Sequence, residues 1–127
     1  MKKKIFVTRR LLKENEEKLQ SLFDVTLNKD DKIFTPQEII DGSKNYDGIL
    51  SSVTDPITAD TISKLSDSIK IIANGAVGFG NIDIKAAKEK GIIVTNTPDV
   101  LTDATADIQL LLLLGASRRA YEGRIAA

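Results

Sequence analysis

Asn74-Gly75-Ala76-Val77-Gly78-Phe79-Gly80-Asn81-Ile82-Asp83 is the stretch whose residue types and spacing could hold a ligand. Its three glycines let a backbone turn tightly and approach another molecule closely. Free amides in such a loop, beside a helix N-terminus, suit an anion, and carboxylate and phosphate both qualify. The spacing departs from the dinucleotide fingerprint G-x-G-x-x-G, which is followed by an acid about twenty positions on. Here the order is Gly75-x-x-Gly78-x-Gly80, and the next strand ends in Thr95-Asn96 without an acid. Cofactor pyrophosphate is therefore a poor match. A tight strand-to-helix turn that binds nothing is the other reading the residues allow.

The loop needs a strand before it and a helix after it. Ile69-Lys70-Ile71-Ile72-Ala73 reads as a buried strand, and Asp83 to Lys90 as a short helix stopped by Gly91. The rest of the chain repeats this alternation. Lys4 to Thr8 reads as a first strand. Leu11, Leu12, Leu19, Leu22 and Phe23 then mark one side of a helix, with Glu14 and Lys18 spaced as an ion pair on the other. Asp24 to Asn28 reads as a second strand at a sheet edge. Thr35-Pro36 with Glu38 has the pattern of a capping box. Tyr46 to Ser52 is a third strand, Thr58 can cap the next helix, and Ile92 to Thr95 is a fifth strand. Thr102 can cap a final helix running from about Asp103 toward the C-terminus.

Strands alternating with helices indicate βαβ units and a parallel sheet. The uninterrupted apolar strands fit a sheet covered on both faces. The expected fold is α/β and flavodoxin-like: a doubly wound, parallel, five-stranded sheet in the order 2-1-3-4-5, with a long apolar C-terminal helix. Ligands of such sheets bind at the carboxyl ends of the strands. Thr8-Arg9-Arg10, Ser51-Ser52-Val53, Asn74 to Gly80 and Asn96-Thr97 should therefore share one rim, where Arg9 and Arg10 are either anion-attracting or simply solvated. Leu110 to Leu114 are five consecutive leucines, so the last helix is apolar over more than one stripe. It should meet another domain or chain; a plain core helix is the alternative.

Composition narrows the chemistry. Lysine plus arginine and aspartate plus glutamate number 18 each in 127 residues, so no net field points to nucleic acid or an anionic membrane. There is neither cysteine nor histidine, which removes thiolate chemistry, the commonest general base and the commonest metal ligand. No metal site is expected. The apolar runs are too short for an export signal or a bilayer span, so a cytoplasmic protein is expected. A phospho-receiver would need clustered acids after strand one and an aspartate after strand three, and Thr8-Arg9-Arg10 and Ser51-Ser52 supply neither. Arg9-Arg10-Leu11-Leu12 is likewise not a flavin phosphate loop.

Several segments occur in an order shared with one family: Phe6-Val7-Thr8-Arg9, Tyr46 to Leu50, Ile71 to Asn74, Val77 to Asp83, Gly91 to Pro98 and Leu101 to Asp107. Together they resemble the N-terminal part of the D-isomer-specific 2-hydroxyacid dehydrogenases, especially the glyoxylate and hydroxypyruvate reductases. The resemblance implies a two-domain NAD(P)-dependent enzyme whose substrate domain is flavodoxin-like. It implies that the loop around Val77 and Gly78 holds the carboxylate of a 2-oxoacid. The candidate substrate-binding residues are Ser52, Ala76, Val77 and Gly78, and Thr105 is the candidate cofactor contact. Residues 1–101 would form the substrate-binding domain, and 102–127 an interdomain and dimerisation helix through which the chain forms a homo-oligomer.

The family's glycine-rich nucleotide motif and its catalytic arginine, glutamate and histidine have no counterpart before Ala127. The expectation is a substrate-binding part, with the nucleotide-binding domain absent, no catalytic residue of its own and no NAD or NADP bound to this chain alone. A stand-alone flavodoxin-like module that binds a small anion or self-associates is the alternative. Asp83 and Asp107, the acids nearest the motifs, are read as helix-terminus residues.

Overall fold

The computed structural model describes residues 2–126. Strands and helices alternate through β1 (Lys4–Val7), α1 (Lys13–Leu22), β2 (Asp24–Thr26), α2 (Pro36–Gly42), β3 (Gly48–Ser51), α3 (Ala59–Lys64), β4 (Ile71–Asn74), α4 (Ile84–Glu89) and β5 (Ile93–Thr95). Two further helices follow, α5 (Thr102–Ser117) and α6 (Ala120–Ala126). The five strands are all parallel and lie in the order β2-β1-β3-β4-β5. This is the topology expected from the alternating pattern.

Register explains where the core lies. Phe6, Ile49, Ile72 and Val94 are cross-strand neighbours, so their side chains share one face. That face packs against Ile39 and Ile40 of α2, Ile62 of α3 and Ala87 of α4, all buried. The Phe6 ring also stacks on Phe34, with centroids 5.6 Å apart. Ile39, Ile49, Ile57, Ile62 and Ile72 are essentially inaccessible to water. Full burial of each such side chain is worth about 1.5–3 kcal/mol.

The opposite face is covered unevenly: Val7, beside Leu50, is 1% exposed. Ile5, Leu50, Ile71 and Ala73 are only half-buried, and Ile93 is 62% exposed. Leu19 of α1 and Phe23 just after it border an apolar groove of about 430 Å³ on this face. No residue of α1 is buried. Its ion pair joins Lys13 to Glu17 at 3.8 Å, in place of the expected Glu14–Lys18 pair.

Local chemistry sets most helix ends. Thr35 and Glu38 form the full capping box around α2, Thr58 caps α3 and Asp83 caps α4. Gly91 follows α4 at φ 73°, the left-handed conformation in which glycine has no side chain to strain. Thr102 does not cap α5. It is the first helical residue, and Leu101 occupies the cap position without a side-chain bond. Asp107 lies inside α5 instead of at its end.

The C-terminal helix is neither continuous nor a core helix. It breaks between α5 and α6, where Arg119 adopts φ 51°, a backbone state that ends a right-handed helix. α5 buries none of its residues. Leu110 to Leu114 are between 58% and 66% exposed. No helix among the described residues is long and apolar enough to cross a membrane.

Candidate functional site

The expected rim is present and is held together by hydrogen bonds. At the end of β1, the Thr8 amide donates to the Leu50 carbonyl at 3.0 Å, and the Thr8 hydroxyl donates to Asp55 Oδ2. The Gly75 amide donates to the Ser51 carbonyl at 2.8 Å. The Thr97 amide donates to the Ala76 carbonyl at 2.9 Å. The ends of β1, β3, β4 and β5 thus converge as the parallel order requires.

The glycine loop is fixed by its carbonyls. Thr97 takes the Ala76 carbonyl, the Asn96 side-chain amide takes the Val77 carbonyl at 2.7 Å, and the Asn74 side-chain amide takes the Gly78 carbonyl at 3.0 Å. Every peptide bond here is trans. In a trans peptide the N–H points opposite to the carbonyl of the same unit. Tying down three successive carbonyls therefore turns the amides of Val77, Gly78 and Phe79 away from the loop's supports. Among the described residues, none of the three amides donates to a protein acceptor. Gly78 and Phe79 are exposed, Val77 is half-buried, and a Cβ on Gly78 would meet nothing within 4 Å. Successive backbone amides left free in such a loop are donors that an anion can use.

The candidate residues divide accordingly. Val77 and Gly78 offer free amides. Ala76 is buried and its amide is committed to the Asn74 carbonyl at 2.8 Å; it supports the loop without offering a donor. Ser52 lies on the neighbouring turn, with its amide on Asp55 Oδ2 at 2.7 Å and its carbonyl accepting from Asn81 at 3.0 Å. Its hydroxyl makes no hydrogen bond among the described residues. Thr105 lies on exposed α5, with its hydroxyl donating to the Leu101 carbonyl at 2.8 Å.

Asn74, Asn81 and Asn96 were placed in the loop or on its rim from sequence but given no role, and Asp55 was not among the candidates. The signal was available, because Asn74 and Asn81 bracket the loop and Asn96 ends the next strand. Asparagine side chains at turns commonly satisfy backbone groups. Asp55 is fully buried, and its Oδ1 has no partner among the described residues, an arrangement that costs desolvation free energy.

Arg9 is not free to attract anions. Its guanidinium grips Asp31 through two bonds of 2.8 and 2.9 Å and also reaches the Thr54 hydroxyl at 2.9 Å. The Arg9 side chain, with help from the Arg10 amide, holds the Asp31 carboxyl well below its ordinary range. Arg10 remains exposed.

Among the described residues, no group of acids or other ligating side chains could hold a metal ion. The glycine order in the loop departs from the dinucleotide fingerprint. The Thr105 hydroxyl donates to Leu101 and keeps its acceptor lone pairs. Beside the loop, Phe79, Ile84, Ile93, Thr95 and Asn96 line an open cleft of about 490 Å³.

Comparison with known proteins gives this arrangement a context. Glyoxylate reductase from Korarchaeum cryptofilum (strain OPF8) is 41% identical over 122 residues, covering 96% of this chain and 36% of that protein. Glycerate dehydrogenase from Hyphomicrobium methylovorum is 38% identical over 122 residues, covering 96% of this chain and 38% of that one. The crystal structure of a putative D-isomer specific 2-hydroxyacid dehydrogenase, NAD-binding, from Polaromonas sp. JS6 66 superposes with a TM-score of 0.86 at 40% identity, covering 97% of this chain and 39% of that structure. The chain thus spans little more than a third of the relatives it matches. Residues 5–124 match the family described as D-isomer specific 2-hydroxyacid dehydrogenase, catalytic domain, and the chain belongs to that family.

Proposed function

We propose that this chain is the substrate-binding part of an NAD(P)-dependent 2-hydroxyacid dehydrogenase of the glyoxylate or hydroxypyruvate reductase type. The observation that carries this reading is the set of three free amides at Val77, Gly78 and Phe79. As hydrogen-bond donors they suit the negative carboxylate of a small 2-oxoacid, and the Ser52 hydroxyl, on the turn after β3, is a further free donor. Residues 1–101 form the binding domain, and 102–127 serve contact with a nucleotide-binding domain or a second copy. Thr105 is the contact to the nucleotide, and the protein works in the cytoplasm. Nicotinamide chemistry belongs to the partner domain.

By itself the chain turns nothing over. The acids around the loop already have structural partners: Asp55 binds Thr8 and Ser52, and Asp83 caps α4. With no histidine in the sequence, no side chain here is set up to move a proton to a bound carbonyl. Reductase activity measured with this polypeptide and NADH or NADPH would overturn that part of the reading.

Amide-resolved NMR titration tests the binding. Millimolar glyoxylate or hydroxypyruvate should move the Val77, Gly78 and Phe79 resonances more than those of the core. Inorganic phosphate at the same concentration should move them less. Resonances that stay fixed with both oxoacids would sink the proposal, and a response to phosphate alone would favour a general small-anion module.

A further inference from the structure

We propose that Asn81 is a positioning residue for the anion cradle, coupling the turn that carries Ser52 to the loop that carries Val77 and Gly78; the inference rests on the binding role given to that loop. The Asn81 side-chain amide donates to the carbonyls of Ser52 and Asp55 at 3.0 and 3.1 Å. Its Oδ1 accepts from the Asn74 side-chain amide at 3.1 Å. That same Asn74 nitrogen donates to the Gly78 carbonyl at 3.0 Å. The Ser51 hydroxyl donates to Asn74 Oδ1 at 3.1 Å.

These partners fix both asparagines. Backbone carbonyls only accept, so the NH₂ group of Asn81 must face Ser52 and Asp55 and its oxygen must face Asn74. The Gly78 carbonyl orients Asn74 in the same way. One continuous chain of donors and acceptors therefore runs from the Ser52 turn to the Gly78 peptide. The direction of that peptide sets the direction of the Phe79 amide. No smaller side chain at position 81 can both donate twice and accept once.

The segment carrying Asn81 does not depend on this side chain for its place in the fold. The Ile57 amide donates to the Asn81 carbonyl at 2.9 Å, and the Asp83 amide to the Ile57 carbonyl at 3.0 Å. Ile57 and Ile82 lie on a parallel bridge and are both buried. The side chain is thus free to serve the loop. It also holds the Ser52 carbonyl, so a disturbance at one end reaches the other.

The test uses this chain with glyoxylate as the probe. In the unaltered protein, the Asn81 side-chain NH₂ resonances should shift along the same saturation curve as the Val77 and Gly78 amides. In Asn81→Ala and in the near-isosteric Asn81→Asp, the Kd for glyoxylate should rise about tenfold, while the Ile49 and Ile72 amides keep their native positions. A side-chain NH₂ that does not respond while Val77 and Gly78 do would overturn this inference and leave the binding role standing. So would folded variants that bind as the unaltered chain does. If Val77 and Gly78 themselves do not respond, the binding role fails and this inference falls with it.

Discussion

Asn96, at the end of β5, donates its side-chain amide to the carbonyl oxygen of Val77, 2.7 Å away and 19 residues earlier. This bond turns the Val77–Gly78 peptide so that the Gly78 amide faces outward. Asn96→Ala removes it and frees the peptide to rotate. The expected loss is about 1 kcal/mol in stability and roughly fivefold in glyoxylate affinity. Calorimetric titration alongside thermal melting checks both values.

Two glycines should behave in opposite ways. A Cβ on Gly78 meets open space, so Gly78→Val should leave the folded state within about 1 kcal/mol while its bulk beside the free amides abolishes measurable glyoxylate binding. A Cβ on Gly48 would lie 2.8 Å from Ile71 Cγ2 and 3.3 Å from the Ile71 carbonyl. Gly48→Ala should therefore cost about 1–3 kcal/mol. Urea unfolding of the two variants distinguishes a lost ligand from a lost fit.

Acid should weaken this fold through a defined set of carboxylates. The Lys32 side chain and the Thr35 backbone and hydroxyl lower Glu38 from 4.5 to about 2. Asp47 is lowered by the Lys3 side chain and the Lys4 amide, and Asp31 by Arg9. A group whose folded pKa is depressed contributes stability above its unfolded pKa and loses it as pH falls through the folded value. The urea midpoint should therefore be level from pH 7 to about pH 5 and then fall steadily toward pH 2. Asp31→Asn should shallow that acid limb, and an unchanged limb would show that the Arg9 pair contributes nothing to it.

The exposed leucines of α5 lead to a prediction of self-association. Five large apolar side chains exposed in one run exceed what single surface leucines require. Sedimentation of the chain at rising concentration should show self-association, and Leu111→Glu with Leu113→Glu should abolish it without lowering the melting temperature. A chain that stays monomeric at high concentration would count against 102–127 as the contact segment.

Much of this molecule was legible in the residues themselves. Hydrophobic period, the Thr35–Glu38 box, the Thr58 and Asp83 caps and Gly91 are local signals, because each acts within a few residues of itself. Strand order followed from them through the handedness of βαβ units. The glycine spacing also marked the loop and separated it from a nucleotide fingerprint. Capping failed at Thr102 because the helix begins one residue earlier than expected: Thr102 is its first residue and the cap falls on Leu101, whose side chain has no acceptor.

What the chain alone could not reveal depends on groups far apart in sequence. Asn96 became a loop support only when β4 and β5 came into register, and Asn81 reached the Ser52 turn only when β3 lay beside β4. Arg9 read as a free cation until Asp31 lay beside it. How fully each sheet face is covered depends on which helices return to it, and periodicity records that a strand is apolar, not what covers it. Local residue chemistry therefore settled the elements and the candidate loop. The direction of the Val77 and Gly78 amides was decided by tertiary structure, because their peptide planes are turned by Thr97 and Asn96 at the end of β5, whereas Asn74, within the same loop, turns the plane that carries the Phe79 amide.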